Sequence, residues 1–239
     1  MNNDFKEKMI NFSKKIDIEI EEEQLKKYFK YMNLLLEWNK KINLTAITEL
    51  DDIILKHFID SMTVLKHIKE CRRLVDVGTG AGFPGIPIAI MRPDLQITLL
   101  DSLNKRIIFL DEVVKELDLK NIKTVHGRAE DFGQNMINRE KYDIAVSRAV
   151  ANMTTLSEYM IPLIKVGGKC IFMKGSEIDK ELEDARFAIK ELGGKIINID
   201  NFKLPDTDME RNVISIEKVK ETPKIYPRKS GLPSKQPLK

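Results

Sequence analysis

After residue 72 the chain alternates short runs rich in β-branched residues with amphipathic segments, and this alternation constrains the fold more than any other feature. The predicted strands, in chain order, are RLVDV, QITLL, IKTVH, YDIAVS, KCIFMK, KIINID and NVISIEKV. Strands that alternate with helices indicate an α/β fold with a doubly wound, mostly parallel, Rossmann-like sheet. The linker NFKLPDTDMER is too short and polar to hold a crossover helix, so the last two strands should form an antiparallel C-terminal hairpin.

The chain before this region is predicted to be helical. From residue 4 to about 70, apolar residues recur at helical spacing, and the third helix is expected to start with a capping box at Thr48. We therefore divide the chain into three parts. Residues 1–70 are a helical extension packed on the core, residues 71–220 are the main domain, and residues 221–239 are a basic, proline-rich tail.

Composition excludes several classes of protein. The net charge of +3 arises from 40 basic and 37 acidic residues, so the charge balance alone does not indicate a polyanion binder. Cys71 and Cys170 show no metal-ligand spacing, and the longest apolar run is far below the roughly 18 residues of a membrane span. We expect a cytoplasmic monomer with no metal site and no membrane partner.

A glycine-rich loop, GTGAG, follows the first predicted strand at the carboxyl edge of the sheet, where open α/β folds bind ligands. Counted from Gly80 it satisfies G-x-G-x-x-G, a dinucleotide fingerprint. Counted from Asp76 it reads Asp-x-Gly78-x-Gly80-x-Gly82 and resembles motif I of class I S-adenosylmethionine-dependent methyltransferases. The second register puts the first glycine at the turn, and Asp76 can then hold the cationic methionine end of that cofactor while repelling a pyrophosphate.

Asp101 ends the second predicted strand, 19 residues after the last glycine of the loop. A carboxylate at this place can accept both hydroxyls of a ribose, in NAD and in S-adenosylmethionine alike. It can equally cap the helix that begins near Asn104. Asp101 is thus a cofactor-binding candidate that does not discriminate between the two cofactors.

Seven segments taken together resemble one family. They are NLTAI, HFIDS, DVGTGAGFPGIPIAI, LLDSLNKRIIFL, GRAED, YDIAVSRAVA and YPRKSGLPSKQP, and they run in order from about residue 38 to the end. The combination resembles the bacterial GidB family, ribosomal RNA small subunit methyltransferase G. The resemblance implies a class I methyltransferase fold and methyl transfer from S-adenosylmethionine to N7 of one guanine in 16S ribosomal RNA, free or in a small-subunit particle. Cofactor contacts carried over from the family fall on Gly78, Phe83, Ala129, Glu130 and Arg148.

Motifs that the sequence lacks also bear on the identity of the methyl acceptor. SRAV follows the fourth strand where an amine-methylating enzyme usually has Asn/Asp-Pro-Pro-aromatic, and neither cysteine lies in a loop suited to attack cytosine C5. An acceptor with an exposed lone pair, such as guanine N7, needs only in-line placement. No catalytic acid or base is therefore assigned, and the candidates on the RNA side are Arg148, His57, which is paired on its helix with Asp60, and Lys174.

The tail concentrates positive charge. From Lys218 to Lys239 it carries seven basic residues and one acidic residue. Lys224, Arg228, Lys229 and Lys235 could follow RNA phosphates in an extended segment, although a solvated, disordered tail fits the composition equally well. Two other functions stay open, an NAD-dependent oxidoreductase using the same loop and a non-enzymatic rRNA-binding or assembly factor.

Overall fold

The computed structural model describes residues 1–69, 71–148 and 151–239. Within these ranges seven strands form one sheet, in the order β3-β2-β1-β4-β5-β7-β6. Their bounds are Arg73–Val77 (β1), Gln96–Asp101 (β2), Ile122–His126 (β3), Tyr142–Arg148 (β4), Ile164–Lys174 (β5), Gly194–Lys203 (β6) and Glu210–Lys218 (β7). Strands β1 to β5 are parallel, and β7 runs antiparallel to both β5 and β6. The predicted doubly wound sheet with an antiparallel C-terminal hairpin is confirmed.

Helices cover both faces of the sheet and precede it. The α-helices are Asn3–Lys14 (α1), Glu22–Ile42 (α2), Leu50–Asp52 (α3), Asp60–Met62 (α4), Gly85–Met91 (α5), Asn104–Glu116 (α6), Ala129–Gln134 (α7), Met153–Met160 (α8), Asp179–Glu191 (α9) and Leu232–Lys235 (α10). A π-helical stretch, Ile53–Ile59, joins α3 to α4, and a 3-10 helix, Thr63–His67, follows. The expected start of this segment at Thr48 is wrong, because α3 begins at Leu50 after Glu49, which makes no side-chain capping bond.

The N-terminal helices and the sheet share one apolar core. Phe5 and Tyr31 from α1 and α2 are fully buried together with Ile86 of α5 and Leu99 of β2. A second core, on the opposite face, packs α8 and α9 against the sheet through Leu156 and similar side chains. Residues 1–67 therefore complete one side of the sheet, and they bring their polar side chains to its carboxyl edge.

The carboxyl edge has a crevice at β1. Strand β1 pairs with β2 on one side and with β4 on the other, so the connections leaving β1 and β4 diverge to opposite faces. Val77, Asp101 and Arg148 are the last residues of β1, β2 and β4. This topological switch point positions the candidate site.

The tail does not run out into solvent. Tyr226, Pro227 and Pro233 are buried against the domain, and α10 forms a single helical turn near the end of the chain. An extended or solvated segment was expected from the charge and proline content. Contacts with acidic and arginine side chains of the domain, described below, account for the difference.

Candidate active site

The glycine loop presents bare backbone to the crevice. Gly78, Gly80 and Gly82 all have positive φ, at 70°, 63° and 99°, so each occupies a region that side chains disfavour. The N–H groups of Gly78 and Thr79 donate to Leu100 O at 2.8 and 3.1 Å, which fastens the loop to β2. A Cβ on Gly80 would meet no atom within 4 Å, whereas one on Gly82 would lie 2.6 Å from Ile86. Gly78 and Gly80 therefore line the crevice, and Gly82 allows close packing behind it.

Asp76 lies beneath the loop and does not line the crevice. Its Oδ2 accepts from Thr79 Oγ1 at 2.7 Å and from the Gly85 N–H at 2.8 Å, so the carboxylate braces the turn. Its Oδ1 is buried and has no hydrogen-bond partner among the residues described. Burial raises the pKa of Asp76 to about 7 in spite of the two hydrogen bonds.

Asp101 faces the crevice from the end of β2. Its Oδ2 accepts from the Gly80 N–H at 2.9 Å and from Arg106 Nη1 at 3.2 Å, and its Oδ1 accepts from the Leu103 N–H at 2.9 Å. The side chain is almost fully buried, at 2% exposure. Three donors thus fix the orientation of this carboxylate, which links the glycine loop to the start of α6.

Two adjoining cavities make up the crevice. The first, of about 370 Å³, is lined by Leu44, Thr45, His57, Gly78, Thr79, Gly80, Ala81, Phe83, Asp101, Ser102, Arg106 and Arg148. The second, of about 230 Å³, is lined by Val77, Gly78, Leu100, Asp101, Ser102, Gly127, Arg128, Ala129, Glu130, Ala151, Tyr159 and Ser234. Gly78, Asp101 and Ser102 belong to both. The two cavities therefore form one elongated trough with a buried carboxylate at its middle.

Arg148 connects the trough to the N-terminal helices. Its Nη1 donates to Asp60 Oδ2 and to Lys56 O, both at 3.0 Å, and Nη2 lies 3.2 Å from His57 Nδ1. The guanidinium also lies 5.0 Å from the centroid of the Phe83 ring, on which the His57 ring stacks at 4.4 Å. The structure thus brings the predicted pair of His57 and Asp60 together with Phe83 and Arg148, which the sequence singled out in other segments.

His57 is neutral in this environment. Burial, followed by the charge of Arg148, lowers the pKa of His57 to about 3. Because the Arg148 guanidinium can only donate, Nδ1 of His57 is the acceptor and the ring proton is on Nε2. The Nε2–H group donates a hydrogen bond to Thr45 Oγ1 at 2.9 Å. Thr45 Oγ1 accepts also from the Ile47 N–H at 3.0 Å. In both bonds the Thr45 oxygen is the acceptor, so its hydroxyl proton is available to donate to an acceptor in the first cavity.

A third cavity lies on the other side of Arg148. It has a volume of about 300 Å³ and is lined by Ile47, Lys56, His57, Asp60, Arg148, Met173, Lys174, Gly175 and Arg211. Arg211 Nε donates to Asp60 Oδ1 at 3.1 Å, so this buried carboxylate serves two arginines. Lys174 is paired with Glu181 at 2.6 Å and donates to Ala151 O. The third cavity thus contains two arginines that share one carboxylate, and it has His57 and Arg148 in common with the first cavity.

The structure separates the predicted RNA-binding residues of the tail. Lys224, Lys229 and Lys235 are exposed. Arg228 instead makes a two-pronged pair with the buried Glu158, with Nε to Oε1 at 2.9 Å and Nη2 to Oε2 at 2.7 Å. Its guanidinium is therefore engaged within the fold.

Several lining residues were missed from the sequence. They are Thr45, Ser102, Arg106, Tyr159, Arg211 and Ser234. Ser102 and Arg106 follow Asp101 closely, so their nearness to the edge of the sheet was a usable signal. The others reach the site through tertiary packing. Ala149 and Val150 of the SRAV segment lie outside the described residues.

Within residues 1–69, 71–148 and 151–239, no group of three or more His, Cys, Asp and Glu side chains is arranged to hold a metal ion. Across the same residues, no helix combines the length and the apolar character that a bilayer span requires.

The sheet order, the glycine loop after β1 and the acid at the end of β2 define a class I S-adenosylmethionine-dependent methyltransferase. A family model described as "rRNA small subunit methyltransferase G" matches residues 23–214, which is most of the chain. The protein belongs to this family, GidB, and the resemblance found in the sequence is confirmed.

Relatives share about half of their residues with this chain over nearly its whole length. The ribosomal RNA small subunit methyltransferase G of Desulforamulus reducens is 52% identical over 228 residues, covering 95% of each chain. That of Clostridium perfringens strain 13 is 53% identical over 226 residues, covering 94% of this chain and 95% of its own. The family assignment therefore rests on the full domain and not on the loop motif alone.

Solved structures share the fold at low sequence identity. An Aquifex aeolicus SAM-dependent methyltransferase aligns with a TM-score of 0.52 at 16% identity, over 69% of this chain and 93% of its own. A 16S rRNA adenine-N(1) methyltransferase from Catenulisporales acidiphilia, solved with SAM, aligns with a TM-score of 0.51 at 16% identity. The alignment covers 64% of this chain and 87% of that one. These likenesses concern the sheet and its helices.

Proposed function

We propose that this protein transfers a methyl group from S-adenosylmethionine to N7 of a specific guanine in bacterial 16S ribosomal RNA. The main support is the arrangement of three adjoining cavities at the switch point. Two of them share Asp101 and form a trough for a cofactor, and the third lies on the other side of Arg148. The family match favours this function over an NAD-dependent oxidoreductase. Cytoplasmic location and a monomeric state remain predictions.

The chain's residues fit such a cofactor. Gly78 and Gly80 offer bare backbone at the first cavity, and a Cβ on Gly80 would meet no protein atom within 4 Å. Asp101, fixed by three donors, is a ready acceptor for ribose hydroxyls, and Ala129 lines the adenine side. Arg148 and the hydroxyl proton of Thr45 suit a carboxylate at the methionine end. When bound, the cofactor supplies an electrophilic methyl group on a sulfonium.

The third cavity is the proposed place of the acceptor. Lys174 is already paired with Glu181, but Arg148 and Arg211 share the single carboxylate of Asp60 and so keep net positive charge for a phosphate backbone. A base there would have to leave its stack to enter. Methylation at N7 removes no proton, so no residue has to act as a general base. The neutral His57 between the cavities fits that requirement, since its role is then to hold Arg148 and Thr45 in place.

Cysteine chemistry has little support at this site. Cys170 is fully buried within β5, and burial raises the pKa of its thiol well above the ordinary value. Cys71 lies just before β1, at the opposite edge of the sheet from the glycine loop, and burial raises its pKa to about 12. Neither is a ready thiolate nucleophile, which agrees with an acceptor that provides its own lone pair.

The decisive experiment is methyl transfer from labelled S-adenosylmethionine to small-subunit particles purified from cells that lack this protein. Nucleoside mass spectrometry of the digested RNA should find the label in N7-methylguanosine, and Asp101→Ala should reduce transfer together with cofactor affinity. Label in another nucleoside would show that the methyl acceptor is not guanine N7. If no nucleoside is labelled although the cofactor binds, the result points to another acceptor or to a non-enzymatic assembly factor.

A further inference from the structure

The C-terminal tail has two anchored halves, and the first is held independently of the cofactor trough. Arg139 is buried and its guanidinium donates to tail carbonyls, from Nη1 to Tyr226 O at 2.6 Å and from Nη2 to Thr222 O at 2.7 Å. Beside it, Glu140 accepts from the Thr222 N–H at 3.2 Å. Arg228 forms an ion pair with Glu158 of α8. The chain up to Arg228 is therefore fixed to α7, α8 and the residues between β3 and β4.

The second half ends at the adenine side of the trough. The Gly231 N–H donates to Glu130 Oε1 at 2.7 Å, and Ser230 Oγ donates to Asp131 Oδ1 at 2.7 Å. Thr155 Oγ1 donates to Pro233 O at 3.3 Å, and Ser234 lines the second cavity together with Glu130. These contacts place a segment far removed in sequence directly at the proposed cofactor site.

We infer that residues 230–235 form one wall of the adenine subsite and that Glu130 is a positioning residue that holds this wall by its hydrogen bond from Gly231. The inference rests on the proposed function. Glu130 lines the second cavity, and its Oε1 accepts the backbone N–H of Gly231, so this carboxylate holds the tail at the adenine side. The exposed Lys229 precedes this segment and the exposed Lys235 ends it, so a polyanion bound there would lie at the rim of the trough.

Coupling between the tail and the cofactor follows from this arrangement. We call the docked arrangement the closed form and one in which residues 230–235 have left the trough the open form. A ligand that contacts the docked tail binds the closed form more tightly, so it must shift the tail toward closure. Bound S-adenosylhomocysteine should consequently protect the bond after Lys229 from trypsin, because cleavage depends on the open population. The exposed Lys14, at the end of α1, serves as the internal reference.

The chain offers a matched pair of variants for the test. Gly231 and Gly167 have nearly equal φ values of +82° and +83°, and neither position has a heavy atom within 4 Å of an added Cβ. Valine introduces the same backbone strain at both sites. Gly167 lies in β5 at the opposite edge of the sheet, away from the trough. Only Gly231→Val should displace the hydrogen bond to Glu130.

Calorimetric titration with S-adenosylhomocysteine and with methylthioadenosine, which lacks the methionine end, separates the outcomes. Gly231→Val should bind both ligands about tenfold more weakly than wild type, the effect expected from losing one hydrogen bond to a charged group. Gly167→Val should bind like wild type. Equal affinities of the two variants, together with trypsin cleavage after Lys229 that saturating ligand does not slow, would overturn the inference. If wild type binds neither ligand, the proposed function itself fails.

Discussion

Arg148 and Asp60 join the end of β4 to the N-terminal helices through a hydrogen bond of 3.0 Å between Nη1 and Oδ2. The partners are 88 residues apart in the chain, and the second carboxylate oxygen of Asp60 receives Arg211 from β7. Both groups are largely buried, with side-chain exposures of 15% and 6%. Three separate parts of the chain therefore meet at a single carboxylate, between the proposed cofactor and acceptor cavities.

Asp60→Asn should lower both stability and methyl transfer. The amide leaves two buried or half-buried guanidinium groups without their counter-charge, a loss of about 3 kcal/mol in the free energy of unfolding. Urea denaturation measures this loss. The matched control is Asp52→Asn on the same helical segment, because Asp52 pairs with Lys56 at 42% exposure, and pairs as exposed as this contribute little. Equal stability of the two variants would show that Asp60 does not organise the arginines.

Gly80→Ala and Gly82→Ala should separate ligand binding from folding. A Cβ at Gly82 would lie 2.6 Å from Ile86 Cγ1 and 2.7 Å from Tyr31 Oη, so overpacking should reduce stability by about 3 kcal/mol. The methyl group at Gly80 has room, and backbone strain alone should cost about 1 kcal/mol while the methyl enters the first cavity. Denaturation and calorimetric binding of S-adenosylhomocysteine would distinguish them. An equal loss of stability would contradict this division of roles.

Local patterns predicted the sheet and the loop well because they depend on neighbours in sequence. Alternation of strand and helix specified the layers, and the run from Asp76 to Gly82 specified a ligand loop at a strand end. The pattern did not specify which way each side chain points. Asp76 was expected to meet the cofactor, yet its carboxylate turns beneath the loop, where it accepts hydrogen bonds from Thr79 and Gly85.

Residues that arrive by tertiary packing had no local signal. Arg211 belongs to a hairpin strand 151 residues from Asp60, and Thr45 lies in a connector whose position depends on how two helices pack. The charge of the tail suggested a solvated segment, but charge counting could not foresee that Glu158 is buried where it can pair with Arg228. Buried partners of opposite charge decide whether such a segment docks.

Asp76→Asn should change how stability varies with pH. The pKa of Asp76 is raised to about 7, so the folded state holds this proton at pH values where the unfolded chain has released it. The contribution of Asp76 to stability is therefore present below about pH 4 and lost as pH rises toward 7. The asparagine variant lacks this loss and should gain up to about 4 kcal/mol relative to wild type over that interval.

Chemical denaturation at half-unit steps from pH 4 to 8 measures the difference for Asp76. Asp94→Asn provides the control, because a hydrogen bond from Arg92 lowers the pKa of the exposed Asp94 and the sign of its small effect is opposite. A constant difference between Asp76→Asn and wild type across the range would show that Asp76 has an ordinary pKa.

Replacing basic residues of the tail should have two different consequences. Lys229 and Lys235 are exposed, so the double alanine variant should weaken RNA binding and reduce the slope of log affinity against log salt by roughly 0.7 to 0.9 for each phosphate that the lysines no longer neutralise. Arg228→Ala should instead leave the buried Glu158 without its partner and destabilise the fold by about 3 kcal/mol. Salt titrations of binding to a 16S rRNA fragment, combined with thermal unfolding, measure both effects. If Arg228→Ala changes the salt slope while stability is unaffected, its guanidinium contacts RNA and the pair with Glu158 is not what holds the tail.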